Sequence, residues 1–266
     1  MKKGKIICLA FISVMVIFAI TAFRVNAGNT KVESLMEEMT LRQKITQMMM
    51  VDFRNWDENL NDSIGAADFT EMNDQVKEVI ETYHFGAVIY FADNIQKTEQ
   101  SYQLTMDMQE AVIESGGIPM FIGADQEGGS VYRLGSGTAL PGNMALGATG
   151  NKEYAYTAGS IVGKELSVLG INTNLAPVVD VNSNANNPVI GLRSYSDDAE
   201  TVGIMASAFI SGMREDNIIG CAKHFPGHGD TETDSHYGLP LVDKSKDVLM
   251  ENELLPLNIS LQMVQI

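Results

Sequence analysis

Three of the chain's four histidines fall in one short segment, Lys223-His224-Phe225-Pro226-Gly227-His228-Gly229-Asp230-Thr231-Glu232-Thr233-Asp234-Ser235-His236. A lone histidine is usually structural, and His84 reads that way. Three together in a Gly- and Pro-containing loop, interleaved with Asp230, Glu232 and Asp234, point to chemistry. Two kinds are open. His and Asp are zinc ligands, and His224 and His228 stand at i, i+4. Pro226 and Gly227 between them, however, oppose the helix that a zincin-type site needs. The second kind is proton transfer. Asp234 and His236 are two apart, so one turn of loop lets the carboxylate orient the imidazole and raise its basicity near neutral pH. A flexible stretch from Gly227 to Gly238 would carry that pair to a substrate.

Other polar residues gather where apolar runs end. Asp125-Gln126-Glu127-Gly128-Gly129 follows the run Met120 to Ala124, with Arg133 further on. Asp180 closes a second run, ahead of Asn182, Asn184, Asn186, Asn187 and Gly191-Leu192-Arg193. Lys223-His224 closes a third. Asp125 and Asp180 read either as loop-start and capping carboxylates or as ligand contacts. Arg133 and Arg193 read as surface ion-pair partners or, given their places after two different strand ends, as ligand contacts. Acid, amide and base converging on one face suit a polyhydroxylated ligand, which needs many directed hydrogen bonds.

The elements that must position these residues alternate helix and strand. Val32, Leu35, Met36 and Met39 are at helical spacing, and Thr40 with Gln43 forms a capping box for the next helix. Met48 to Phe53 is expected as a strand and 55–70 as a polar surface loop. Val76, Val79, Ile80 and Tyr83 make a helix stripe before the strand Gly86 to Phe91. Leu104, Met108, Ala111 and Val112 mark a helix closed by Gly116-Gly117 and Pro119. Ala158, Val162, Leu166 and Leu169 mark another, then a strand Ile171 to Val181. A helix with Val202, Met205, Phe209 and Met213 precedes a strand Ile218 to Ala222. Alternation of this kind calls for a parallel sheet with helices outside it, and near-continuous apolar strands agree with burial on both faces. The Met-rich stripes, Met48-Met49-Met50 included, read as core filling.

Composition narrows the function classes. The 266 residues carry 18 Lys+Arg against 34 Asp+Glu, a formal charge of −16, which argues against a nucleic-acid surface. There is neither a phosphate-binding loop nor a dinucleotide fingerprint. Lys2, Lys3 and Lys5, the apolar run Ile6 to Phe23 and Val25-Asn26-Ala27 read as a signal peptide over residues 1–27, or as a membrane anchor if retained. Either way the rest, 28–266, is expected outside the cell or at the cell wall. Cleavage would remove Cys8 and leave Cys221 alone, so no internal disulfide is expected.

The segment Lys223 to Gly229 with Asp234-Ser235-His236 resembles the signature of glycoside hydrolase family 3, in its bacterial β-N-acetylglucosaminidase (β-hexosaminidase) branch. Met39-Thr40-Leu41 with Lys44-Ile45 and Gln47, the Asp125 to Arg133 loop, and Leu175-Ala176-Pro177-Val178-Val179-Asp180-Val181 resemble its other landmarks in the same order. The resemblance implies an α/β fold, a TIM-like (β/α)8 barrel, with about five to six βα units in this sequence. It implies a retaining reaction on terminal β-linked N-acetylglucosamine, with peptidoglycan fragments as the expected substrate. In it, Asp234 and His236 act as the acid/base, and Asp125, Arg133, Arg193, Lys223 and His224 bind the sugar. Lys223 would donate to two hydroxyls. No metal or cofactor is implied, no nucleic-acid partner, and membrane contact only through a retained N-terminal segment. The family's nucleophile is an Asp after a later strand that this sequence lacks, so the expectation is the N-terminal part of a barrel, cut short, inactive by itself. The alternatives are an inactive saccharide-binding fragment and, with less support, a zinc metallohydrolase.

Overall fold

A computed structural model describes residues 31–56 and 67–263. The proposed signal segment, 1–27, lies outside the described residues. The chain divides into two compact units, at Met48 and Met49. In the first, α1 (residues 31–38) and α2 (Leu41–Thr46) are helical, and Thr40 caps α2. Its side chain accepts from the Gln43 amide, and Gln43 Oε1 accepts from the Thr40 amide at 2.8 Å, so two otherwise orphaned donors are satisfied reciprocally. Among the described residues no helix is long and apolar enough to cross a membrane.

The second unit is built on five parallel strands: β1 (Met50–Val51), β4 (Ala87–Tyr90), β5 (Phe121–Ala124), β6 (Thr173–Asn174) and β7 (Ile219–Gly220), hydrogen-bonded in that order. Neighbours in the sheet follow one another along the chain, with α3 (Asp74–Tyr83), α4 (Thr98–Glu114), α6 (Lys152–Val168) and α7 (Ala199–Arg214) between them. This singly wound order is the one a TIM-like α/β barrel uses. An antiparallel pair, β2 (Asn55–Trp56) with β3 (Ala67–Asp68), stands within the connection expected to be plain loop. Three short helices complete the set: α5 (Asn143–Ala148), α8 (Lys246–Glu251) and α9 (Leu255–Met263).

The two faces of the sheet differ. Val88, Tyr90, Ile122, Ala124 and Asn174 are buried toward the helices. Met50, Phe121 and Ile219 belong to the opposite face and are 40%, 52% and 50% exposed. Register supports this assignment, since Met50 aligns with Phe121 through Ala87, and a Cβ on Gly123 would point at Met50 Cε. Met48 is also exposed, so the Met48-Met49-Met50 run is not core filling. Met108, Met120, Met205 and Met213 are. The strand expected over 171–181 pairs regularly only at Thr173–Asn174, and Pro177, which has no N–H to donate, interrupts the ladder. Helices α6 and α7 cross closely because Gly159 and Gly212 lack side chains. A Cβ on either would fall within about 2.2 Å of backbone oxygen on the other helix. That contact buries Phe209 (1% exposed), whose truncation to Ala costs about 3–5 kcal/mol.

Candidate active site

The carboxyl ends of β5, β6 and β7 are stitched together before any charged group is placed. Asn174 at the end of β6 accepts from the Gln126 amide (2.9 Å) and donates to the Gln126 carbonyl (2.9 Å). Gln126 Oε1 in turn accepts from the Arg133 amide at 2.8 Å. Beyond β6 the chain runs on beside Lys223, whose carbonyl accepts from the Val179 amide and whose own amide donates to the Pro177 carbonyl. These backbone ties set Asp180 against His224 and bring Lys223 across to Asp125.

Five of the residues singled out in the sequence thereby meet. Lys223 Nζ lies 2.6 Å from Asp125 Oδ1, and Arg133 Nη2 lies 3.9 Å from Asp125 Oδ2. Arg193, in the 3-10 turn Gly191–Arg193, lies with Nη2 3.4 Å from His224 Nε2. The group at the centre is one that was not singled out, Glu127. Arg193 grips it with Nε to Oε2 at 2.9 Å and Nη2 to Oε1 at 2.8 Å, and Lys223 Nζ is 2.7 Å from the same Oε1. Burial of Glu127 works against its charge, but the bonds and charges of Arg193 and Lys223 prevail and hold its pKa below the usual value. The same fork raises the Arg193 pKa against the opposing effect of burial.

This arrangement revises two readings. Lys223 has three N–H bonds; Asp125 and Glu127 take two, which leaves one for a ligand hydroxyl instead of two. Asp180 is not a ligand contact. Its side chain is fully buried, with Oδ2 2.5 Å from His224 Nδ1 and Oδ1 accepting from the His228 amide at 2.7 Å. Because the carboxylate only accepts, His224 carries its proton on Nδ1 and turns an acceptor, Nε2, toward Arg193. A cavity of about 160 Å³ flanks the cluster, walled by Glu127, Gly129, Gly142, Met144, Leu192 and Arg193.

The histidine loop leaves β7 over a tight approach. Gly229 passes the chain after Asp180 so closely that a Cβ would sit 1.8 Å from the Val181 carbonyl oxygen. Asn187 fixes the turn by donating to the carbonyls of His228 (2.8 Å) and Thr231 (2.9 Å), so the asparagine run serves the loop. His228 is buried, its Nδ1 on Thr231 Oγ1 and its ring edge-on to His224 at 5.8 Å. Among the described residues no group of three His, Cys, Asp or Glu side chains could hold a metal ion. His84, far along the chain, ends α3 in a left-handed conformation (φ 48°) with Nε2 2.9 Å from Ser115 Oγ.

Asp234 and His236 form the expected pair. Asp234 Oδ1 accepts from the His236 amide at 2.9 Å and lies 2.6 Å from His236 Nδ1. The backbone N–H first, then the imidazole, hold the Asp234 pKa below its usual value. Because the carboxylate only accepts, it holds the imidazole through Nδ1–H. The His236 side chain is 72% exposed. Among the described residues no hydrogen bond or ion pair joins this pair directly to the strand-end cluster. The link is Ser235 Oγ, 3.3 Å from His228 Nε2.

Comparison with known proteins agrees with this geometry. The model of the glycosyl hydrolase family 3 N terminal domain matches residues 40–263. The chain is 42% identical over 226 residues to a β-hexosaminidase A of Pseudoalteromonas piscicida, covering 82% of this chain and 38% of that protein. It is 33% identical to a β-hexosaminidase of Haemophilus influenzae, covering 70% of this chain and 53% of that one. Among solved structures, a glycoside hydrolase family 3 β-N-acetylglucosaminidase from Paenibacillus sp. str. FPU-7 superposes with TM-score 0.76 at 40% identity, over 84% of this chain and 40% of that one. NagZ from Neisseria gonorrhoeae, solved with N-trifluoroacetyl-D-glucosamine, superposes with TM-score 0.70 at 29% identity, over 82% and 61%. This chain thus spans between about two fifths and three fifths of the length of these relatives. With a family model matched over most of its length, and a singly wound parallel sheet gathering the family's landmark residues, the chain belongs to glycosyl hydrolase family 3, over that family's N-terminal domain.

Proposed function

We propose that this chain recognises a terminal β-linked N-acetylglucosamine and supplies the acid/base for its removal by a retaining β-N-acetylhexosaminidase reaction. The carrying observation is the Asp234–His236 pair, an imidazole held through Nδ1 with Nε2 exposed, joined through Ser235 and His228 to the strand-end cluster. Asp125, the remaining N–H of Lys223, Arg133, Arg193 and His224 bind sugar hydroxyls, and Arg193 also holds the cluster's shape through Glu127. In the first step His236, as the imidazolium with its Nδ1–H held by Asp234, gives the Nε2 proton to the glycosidic oxygen as the bond to the anomeric carbon breaks and a carboxylate attacks that carbon, which leaves the ring neutral. In the second, Nε2 takes a proton from water as the hydroxyl displaces the carboxylate. The attacking carboxylate is not among the residues gathered here, and the family pattern puts it after a later strand.

Relatives named β-hexosaminidase support the substrate class. We further assign residues 1–27 to export, 28–266 to the family 3 catalytic barrel, and peptidoglycan fragments to the substrate. N-terminal sequencing of secreted protein and cleavage of muropeptides in preference to chitin oligomers check these assignments. The main test, made in the protein that carries this chain together with the attacking carboxylate, is release of phenol from phenyl N-acetyl-β-D-glucosaminide, a leaving group that needs the proton, with His236→Ala expected to lower kcat/KM by about 10²–10⁴-fold. A wild-type chain with neither turnover nor saturable N-acetylglucosamine binding defeats the reading. Binding without turnover would make it a saccharide-binding domain.

A further inference from the structure

The loop that carries Asp234 and His236 has little to hold it in place. Tyr237, Leu239 and Leu241 are 91%, 94% and 80% exposed, so apolar burial does not anchor it. The hydrogen bonds between Asp234 and His236 span two residues and fix one group against the other, not against the sheet. Position must come from the base of the loop, and the base is tied. Asp230 stands at its start and Lys244 at its end, and Lys244 Nζ lies 2.8 Å from Asp230 Oδ2. The same ammonium lies 2.6 Å from Glu253 Oε1.

Glu253 is only 2% exposed, and Asn252 Nδ2 donates to the same Oε1 at 3.0 Å. It also meets the start of the loop directly, since a Cβ on Gly227 would sit 2.6 Å from Glu253 Cβ. Ser245, immediately after Lys244, caps α8 by accepting from the Val248 amide, which fixes the chain on the far side of the lysine. One buried carboxylate therefore holds both ends of the loop, by packing at Gly227 and by charge at Lys244. Burial opposes the Lys244 charge, yet its two carboxylates raise its pKa, so the tie stays charged at neutral pH.

We propose that Glu253, Lys244 and Asp230 form a clamp that sets the reach of the acid/base loop, with Lys244 and Glu253 as positioning residues. The proposal rests on the acid/base reading of His236. Loosening the base would let the loop sample positions from which Nε2 misses the glycosidic oxygen, and a misplacement of about 1 Å costs on the order of 100-fold in rate.

The test compares Lys244→Met, which keeps the aliphatic stem without the charge, with Lys244→Arg and Asp230→Asn in the protein that carries this chain together with the attacking carboxylate. Two readouts are taken: the rate of chymotryptic cleavage after Tyr237, and kcat/KM on aryl N-acetyl-β-D-glucosaminides with poor and activated leaving groups. The expected result is at least about tenfold faster cleavage in Lys244→Met, a smaller rise in Asp230→Asn, and near wild-type behaviour in Lys244→Arg. On the poor leaving group, which needs the proton, Lys244→Met should lose about 100-fold; on the activated one the loss should be several times smaller. Unchanged cleavage in both charge-removing variants overturns the clamp, and so does an equal loss on both substrates. If Lys244→Met does not fold, Asp230→Asn, at the more exposed partner, decides by the same two readouts. If the wild-type protein hydrolyses neither substrate although the attacking carboxylate is present, the acid/base reading fails and cleavage alone decides the clamp.

Discussion

The strand-end cluster and the loop that carries Asp234 and His236 are held by different means. In the cluster, the short contacts join charged groups from different elements. Glu127 comes from the end of β5, Arg193 from the turn before α7 and Lys223 from the end of β7, so the sheet must be assembled before the site exists. In the loop, Asp234 and His236 find one another across two residues, and their pairing needs no sheet. The first site is a product of tertiary structure and contributes to it. The second is a local device mounted on the fold. Damage to the cluster should therefore cost stability as well as binding, while damage to the pair should cost chemistry alone.

The largest effect is expected at Glu127. Glu127→Ala leaves Arg193 and Lys223 facing each other at a mostly buried position without their shared counter-charge. Removing one partner of such a group costs about 3 kcal/mol. Urea denaturation should show that loss, and N-acetylglucosamine binding should disappear with it. A variant as stable as wild type would show that the cluster is not integral to the fold. Asp180→Asn comes next. The amide keeps one acceptor but must turn a donor toward either the His228 amide or His224 Nδ1–H, and losing a hydrogen bond to a charged group costs about 2 kcal/mol. An Asp180→Asn chain that keeps both its denaturation midpoint and the His224 tautomer seen by nitrogen NMR would contradict the assigned role.

The pH dependence divides the regions again. Folding lowers the Glu127 pKa from about 4.5, so its stabilisation is fully present above that value and is lost as pH falls through the lower folded pKa. The deficit of Glu127→Gln relative to wild type should accordingly be largest near neutral pH and shrink as pH drops below about 4.5. Asp234 also has a lowered pKa, but it is half-buried beside an imidazole that is 72% exposed, and solvent screens the pair. Asp234→Asn should leave the acid limb of the stability curve where it was. Parallel acid titrations of the two variants, followed by circular dichroism, make the comparison.

The same division explains what could be read without coordinates. Asp234 and His236 are legible because their relationship is local, and Asp125, Lys223 and His224 because each closes an apolar run that must be a strand. Glu127 stood in plain view beside Asp125, but its partner Arg193 lies 66 positions later, and no spacing rule connects them. Asp180 was visible as a strand-end acid. Its direction was not, because pointing inward at His224 or outward at a ligand depends on how the chain from Pro177 lies beside Lys223. Short elements failed for a different reason. Helix α5 opens at Gly142 and contains Gly147, so it offers too few turns for a periodic stripe. The β2–β3 pair is only two residues deep and leaves no alternation to find.

The smallest effect is the sharpest test of the contrast. His236 is mostly exposed, and in His236→Ala the imidazole's hydrogen bond to Asp234 is exchanged for water while the backbone amide's bond stays. His236→Ala should change stability by no more than about 0.5 kcal/mol, the range for surface substitutions away from special features. Denaturation in urea should superpose on the wild-type curve even where turnover has vanished. A loss of stability as large as that of Asp180→Asn would mean that the loop is part of the fold's support. The two regions would then be one site held by one network, with Ser235 and His228 as a structural joint, not a bridge between independent parts.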